Sequence, residues 1–438
     1  MSHYKPYPAY RDSGVKWIGQ VPEHWRVTPL KVIAETVNGA TPESGKPEYW
    51  DGDIAWYTPT DIDNEVASEL GVPRRYITQA GYESCAVKLS PPGSVILSTR
   101  APIGSVGITT IPSTINQGCR TLIPAQDVPT SYLASTLVAA REELRLRGNG
   151  TTFQELSTEA LRSLRVPMPP RSECVSIASG LDRETARFDA LIAKKTRFIE
   201  LLKEKRQALI THAVTKGLDT NVPMRDSKSE WIGEVPEHWR VCSLGYLSRI
   251  STGGTPDRKN DSYWNGEIPW VKTGEINYKI ISDTEERITD AGLSNSATFI
   301  AEPGTILMAM YGMGVTRGRV AVLGIPASFN QACAAISCSS GVHNWYVFYC
   351  LCAAYRFIRD LGNEASQVNL NLEIVSKIKV PVPPLLEQEE IEKHLVAQLQ
   401  KLDAIEQRVS NSISLIKERR SAFITAAVTG QIDLRESA

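Results

Sequence analysis

The side chains that could do acid–base or nucleophilic chemistry are few in this 438-residue chain, and none is placed for it. His24 and His238 each lie in a Pro-Glu-His-Trp turn without a nearby nucleophile, so neither has the partner that covalent catalysis requires. The eight cysteines form no Cys-x-x-Cys pair and have no companion histidines at metal-ligand spacing. They read as reduced thiols packed in cores. No catalytic or metal-ligating residue is expected. What the chain does offer is directional hydrogen bonding from Arg, Lys, Asn, Gln, Ser and Thr on loops bounded by Gly and Pro, where a folded scaffold can aim them at a partner.

Those loops come in two sets. Asp12-Ser13, Trp17-Ile18-Gly19 and Val21 to Val27 return as Asp226-Ser227, Trp231-Ile232-Gly233 and Val235 to Val241, with 12 of the 16 positions from 12 to 27 identical. Such a repeat means two copies of one structural unit. The separation of 214 residues holds for Thr41-Pro42 and Thr255-Pro256, Trp50 and Trp264, Trp56 and Trp270, and Asn116-Gln117 and Asn330-Gln331. It slips to 211 at Pro92-Gly93 and Pro303-Gly304, so the copies differ in loop length there. Short β-rich runs, such as 94–99, 305–308 and 319–323, dominate the first two-thirds of each copy. Helices follow over about 131–147, closing at Gly148-Asn149-Gly150, and over about 343–361, closing at Gly362-Asn363. Eight of nine tryptophans fall in matched pairs, whose regular spacing assigns them to cores; Trp345, facing Ser131, is the exception. The first ten residues read as a loose lead-in.

Each copy ends in a long helix, over roughly 171–213 and 385–427, entered through Val166-Pro167-Met168-Pro169-Pro170 or Val380-Pro381-Val382-Pro383-Pro384. Apolar residues recur every seven positions: Leu181, Phe188, Leu202 and Leu209 in the first, interrupted by Lys195, and Leu395, Leu402, Val409, Ile416 and Phe423 in the second. A second seam is read from Leu191 and Phe198 and from Leu399 and Ile413. A stripe this narrow suits a helix lying along one partner helix, and the simplest partner is its own copy. Two equivalent surfaces that meet are related by a two-fold axis. The fold class expected is therefore α+β: two tandem mixed α/β domains, each followed by a long helix, the helices forming an antiparallel coiled coil with pseudo-two-fold symmetry.

Charge narrows the function. Lys and Arg number 48 against 49 Asp and Glu, a net charge of −1, which argues against an avid free-standing nucleic-acid binder. The balance is flat within each globular region, 16 basic to 17 acidic over 1–170 and 15 to 16 over 225–384. Yet a helix of about 43 residues spans about 64 Å, a ruler between two related readers, and successive major-groove faces on one side of a duplex recur about every 34–36 Å. Partners would then supply the positive charge that phosphate binding needs. No secretory signal is apparent, and the longest apolar run, Trp345 to Ala354, is ten residues, too short to span a bilayer. A cytoplasmic protein with no membrane association is expected, for which the Asn149-Gly150-Thr151 sequon is irrelevant.

The duplicated Trp-Ile-Gly…Val-Pro-Glu-His-Trp string, the Gly-x-Thr-Pro segments (Gly39 to Pro42, Gly253 to Pro256) and the two Asn-Gln dipeptides carry a resemblance. So does Pro381-Val382-Pro383-Pro384-Leu385…Glu387-Gln388…Ile391, although the first helix opens on Pro169-Pro170-Arg171-Ser172-Glu173-Cys174 instead. Over essentially its full length the chain resembles the specificity subunit of Type I restriction–modification systems. The resemblance implies target-recognition domains at 1–170 and 226–384, conserved helices at 171–217 and 385–433, and a linker at 218–225. It further implies recognition of a bipartite asymmetric site in double-stranded DNA, two methyltransferase (modification) subunits docked on the helices, and separate restriction/motor subunits. The chain itself would hold no cofactor, S-adenosylmethionine belonging to the modification subunits. Consistently, it lacks an Asn/Asp-Pro-Pro-Tyr/Phe motif and a Gly-x-x-x-x-Gly-Lys-Ser/Thr loop. A second reading is a non-catalytic coiled-coil scaffold whose globules bind protein.

Major-groove readers should be loop Arg, Lys, Asn, Gln, Ser or Thr. The first copy offers Lys46, Thr99, Arg100 and Arg120, with Arg74 and Arg75 as phosphate contacts. The second offers Arg258, Lys259, Asn260, Tyr311, Arg317 and Arg319. Arg100 and Tyr311 lie where the copies diverge. Asn116, Gln117, Asn330 and Gln331, shared by both, are read as bracing a turn. Glu204-Lys205-Arg206 and Glu418-Arg419-Arg420 are read either as solvated helix faces or as docking sites.

Overall fold

The computed structural model describes residues 4–62, 67–148, 154–312, 315–361 and 369–435. The chain falls into two compact units, one made of 1–196 with 410–438 and the other of 197–409. The globular part of each unit holds the same four sheets. In the first, a five-stranded sheet runs in the order Ala34–Asn38, Cys119–Pro124, Val95–Ser98, Val106–Ile108, Ser68–Glu69, and a three-stranded sheet in the order Ser113–Ile115, Trp50–Tyr57, Arg75–Ile77. Val95–Ser98 is buried along its whole length, as expected of an apolar run covered on both faces. Two ribbons complete the set, Tyr10–Asp12 with Gln20–Pro22 and Arg26–Pro29 with Arg165–Met168. Pro167 is tolerated in the second ribbon because a two-stranded sheet is all edge. The second unit repeats this plan, with its five-stranded sheet in the order Ser248–Thr252, Cys333–Cys338, Ile306–Ala309, Val320–Leu323, Ile280–Ile281.

The helix expected over 131–147 is two, Thr130–Ala139 and Arg141–Leu146, and that over 343–361 is Asn344–Ala353 and Tyr355–Asp360. Asn149-Gly150 and Gly362-Asn363 lie outside the described residues.

The long helices run Arg171–Lys216 and Leu385–Val428. Each unit takes the start of one and the end of the other. In the first unit Leu181, Phe423, Ile424 and Val428 enter the same apolar core as Trp25, Leu97 and Leu137. In the second, Leu202, Ile210, Leu395, Leu399 and Leu402 do so with Trp239, Met308 and Leu351. Polar pairs fix the register. Arg420 places Nε 3.1 Å from Asp189 Oδ1, and Arg206 pairs with Asp403. Both members of one pair lie 214 residues from their counterparts in the other, so one contact is made twice. Arg206 and Arg420 therefore join helix to helix, in place of the solvated or docking role read from their sequence segments.

Three expectations are corrected here. Leu191 and Phe198 are 43% and 44% exposed, while Ile192 and Ile199 turn inward; the inner seam lies four residues after each heptad position, as it does at Leu399 and Ile413. The lead-in is tied down: Tyr7 is buried, Tyr10 donates to the Gly430 carbonyl at 3.0 Å, and Asp433 N donates to Lys5 O at 2.9 Å. The first long helix also opens like the second. Glu173 accepts from Trp25 Nε1 at 3.0 Å and lies 2.8 Å from His24 Nε2, as Glu387 does with Trp239 at 2.9 Å and His238 at 3.0 Å.

Candidate nucleic-acid interface

One rim of the five-stranded sheet gathers several candidate residues of the first unit. Arg120 faces Asn38 across one strand pair and Leu97 across the other. Its Nε donates to Thr158 Oγ1 at 2.9 Å, Nη1 donates to the Gln117 and Cys119 carbonyls, and Thr158 donates to Asn38 Oδ1 at 3.0 Å. Burial lowers the pKa of the guanidinium; with Nε and Nη1 bonded to the loop, Arg120 holds the rim in shape. Beside it Arg100, half exposed, pairs with Glu155 at 3.2 Å. Asn116 Oδ1 accepts from Gly118 N at 3.0 Å and so braces the turn, leaving Gln117 exposed with its Oε1 held by Thr41 Oγ1. Thr99 is fully buried, and its backbone spans Gly118 O and Leu156 N. Enclosed in this way, its hydroxyl is not available to a base.

The second unit repeats the rim with different side chains. Met310 stands where Thr99 does, bonded to Ala332 O and Leu370 N, which makes Tyr311, 38% exposed, the counterpart of Arg100. Asn330 braces the matching turn through Ala332 N at 3.1 Å, and Thr255 holds Gln331. Arg120 is replaced by Ala334, opposite Thr252. Arg317 donates to the Arg359 carbonyl, and Arg319 is partly buried with its guanidinium 6.0 Å from the Tyr278 ring. Arg317 is thereby committed to its own unit.

The remaining candidates surround the paired tryptophans. Arg75 lies 3.6 Å over the Trp50 ring, where cation–π attraction holds it. Arg258 lies 3.9 Å over Trp264 and pairs with Glu286 at 2.6 Å. Glu286 faces Trp270 as Arg75 faces Trp56. Burial alone would raise the pKa of its carboxyl, but hydrogen bonds from Lys272 and Arg258 outweigh this and hold it below the ordinary value. Arg258, Lys272, Thr255, Asn330 and Glu275 line one surface depression. Asn260 is spent capping the turn at Ser262, whereas Lys259 projects at the exposed loop tip. Lys46 is held by Tyr49 and Glu43, and Arg74 lies 3.7 Å from Asp61.

Sequence reasoning missed Lys272 and Glu286, whose roles appear only when the strands are paired. It also missed Glu173, although the 214-residue register pointed from Glu387 to it. Burial pushes the Cys119 and Cys174 thiols up to about 12, which makes them inert. Among the described residues no group of His, Cys, Asp or Glu could hold a metal ion, and no helix is long and apolar enough to cross a membrane.

A further surface lies on the helices. Leu191 and Leu201 on the first and Ile405 and Leu415 on the second are 39–64% exposed, and each pair is separated by 214. Cations recur beside them at Arg187 and Lys401 and at Lys194 and Arg408. Exposed apolar residues on the helices that are present twice, Leu191 and Leu415 in the first unit and Leu201 and Ile405 in the second, are what two equal partners would cover.

The sequence profile of the Type I restriction modification DNA specificity domain matches residues 22–201 and again 236–415. The Type I restriction enzyme MjaIX specificity subunit of Methanocaldococcus jannaschii is 27% identical over 437 residues, 96% of both chains. Among solved structures, a chain from a study of complex assembly and conformational transition in the type I R-M system superposes with a TM-score of 0.69 at 16% identity, covering 93% of this chain and 98% of that one. The HsdS subunit of Thermoanaerobacter tengcongensis gives 0.51 at 16% identity, covering 94% and 98%. At these identities the structural likeness speaks for the fold.

Proposed function

Because the chain belongs to the Type I restriction modification DNA specificity family, we propose that it is the specificity subunit of such a complex, recognising a bipartite asymmetric site in double-stranded DNA with one half read by each globule. The observation that carries this reading is the duplicated rim. Thr41–Gln117 and Thr255–Gln331 are built alike, while Arg100 and Arg120 give way to Tyr311 and Ala334. A common frame whose exposed edge carries Arg100 in one copy and Tyr311 in the other suits two readers of different base sequence. The duplicated stripe at Leu191 and Ile405 serves two modification subunits, which bind S-adenosylmethionine and methylate DNA, while separate restriction/motor subunits cleave. The chain is non-catalytic and acts in the cytoplasm.

Its near-zero net charge makes isolated DNA binding weak, since phosphate contacts supply most non-specific affinity. Binding to a library of duplexes, with and without modification subunits, tests the reading. Weak binding alone and tight, sequence-selective binding in the complex are expected; an assembled complex without sequence preference overturns it.

A further inference from the structure

The second unit contains a groove of about 620 Å³. Three helices line it. Lys203, Gln207 and Ile210 face it from the first long helix, and Val396, Leu399 and Asp403 from the second; the third wall is the short helix carrying Trp345, Tyr349 and Cys352. On every wall lining residues stand at i, i+3, i+4 and i+7, the spacing of one helix face over two turns. Trp345, Phe348 and Tyr349 form a connected aromatic stripe, with ring centroids 5.4–6.4 Å apart. Val396 and Ile280 are 38% and 52% exposed at its lip. A channel walled by helix faces on three sides is complementary to a fourth helix.

Charge selects the helix. The acids at the groove are already answered, Asp403 by Arg206 and Glu204 by Arg197 at 3.4 Å. The cations Lys203, Lys279 and Arg356 also line it, and among the described residues none has a side-chain partner. The face is thus apolar at its floor and net positive at its rim.

The aromatic wall of the groove is not repeated in the first copy. At the positions of Trp345, Phe348 and Tyr349 the first copy carries Ser131, Ala134 and Ser135. Val396 is matched there by Asp182, which hydrogen-bonds Ser131.

We propose that this groove seats one acidic amphipathic α-helix of a protein partner, with apolar anchors at i, i+3 or i+4 and i+7, once per chain. Two identical modification subunits call for two equal sites, so the occupant is a further partner. That last step rests on the paired docking proposed above; the helix seat does not.

A fluorescent peptide of roughly 20 residues, long enough for about five turns, tests the seat on the full chain. It carries Leu and Phe at the anchor positions and Glu elsewhere, and is compared with a scrambled peptide and one in which Lys replaces Glu. Saturable binding at one peptide per chain is expected, weakened at least tenfold by Lys279→Glu with Arg356→Glu, which are exposed changes that leave the core intact, and by Trp345→Ser. Equal binding of the scrambled or Lys peptide, two peptides per chain, or no saturable binding overturns the seat. So does displacement by a single-stranded oligonucleotide as effective as unlabelled peptide, which would make the aromatic stripe a base-stacking surface. If the peptide binds once but the assembled complex lacks sequence preference, the groove stands and the DNA reading falls.

Discussion

In the first unit a guanidinium reaches the Trp50 ring from a strand, at Arg75; in the second it reaches Trp264 from a loop, at Arg258, and an acid, Glu286, occupies the strand position. The indole is covered either way. What differs is the loop: 257–260 is clamped to the sheet through the Arg258–Glu286 pair, while 43–46 is held by Lys46 with Glu43 and Tyr49. The rims differ in the same manner, one frame carrying Arg100 and Arg120 or Tyr311 and Ala334. The strands, turns and paired tryptophans are kept in both units, while the side chains set on that frame differ. A unit should therefore be exchangeable as a whole for its reading, and point changes should act within one unit only.

Exchange is expected to have the largest effect. Replacing residues 12–170 by the corresponding segment of another specificity subunit should change one half of the recognised site and leave the other intact. Mapping the methylated positions in DNA from cells expressing the complex checks this; a change in both halves would show that the two units do not read independently. Next is the helix stripe. Leu191→Asp with Ile405→Asp should weaken docking of modification subunits at least tenfold, about 1.4 kcal/mol, while stability moves by no more than about 0.5 kcal/mol, because both residues are solvated. Titration calorimetry and urea unfolding measure the two; a large loss of stability would return Leu191 to the coiled-coil seam.

The register pair made twice gives a graded effect confined to stability. Removing one partner of a buried ion pair costs about 3–5 kcal/mol. The Arg420 side chain is 8% exposed but Asp189 is 48% exposed, so screening reduces the expected cost of Arg420→Ala to about 1–3 kcal/mol. Arg206, 32% exposed in its pair, should cost less. Double-mutant cycles with Asp189→Ala and Asp403→Ala isolate each coupling, and a stronger Arg206 pair would contradict the burial ranking.

Much of this was legible because the repeat is strict. The 214-residue register gives the paired tryptophans, the proline turns and both long helices, and applied to Leu399 and Ile413 it points to Thr185 and Ile199 rather than Leu191 and Phe198. A seven-residue count fixes one seam but leaves the second a residue adrift, since an α-helix turns every 3.6 residues. The tied-down lead-in was not legible, because its partners Gly430 and Asp433 lie more than 400 residues away in sequence. Nor was the burial of Thr99. A polar residue at the end of a β-rich run, beside an exposed arginine, reads as accessible until the pairing of its backbone with Gly118 and Leu156 encloses it.

The smallest effect separates the two loops by pH. Hydrogen bonds from Lys272 and Arg258 leave Glu286 with a folded pKa below its ordinary value. The stability they contribute is therefore fully present above the unfolded carboxylate range, about pH 4–5, and is lost as pH falls through the folded value. Acid should release the 257–260 loop and shift the indole N–H resonance of Trp264. Trp50, covered by Arg75, has no carboxylate in that position and should move less. Glu286→Gln should abolish the difference between the two indoles in the acid range. Equal acid shifts at Trp50 and Trp264 in the unmodified chain would show that the exchange of Arg75 for Glu286 left the two loops equally held.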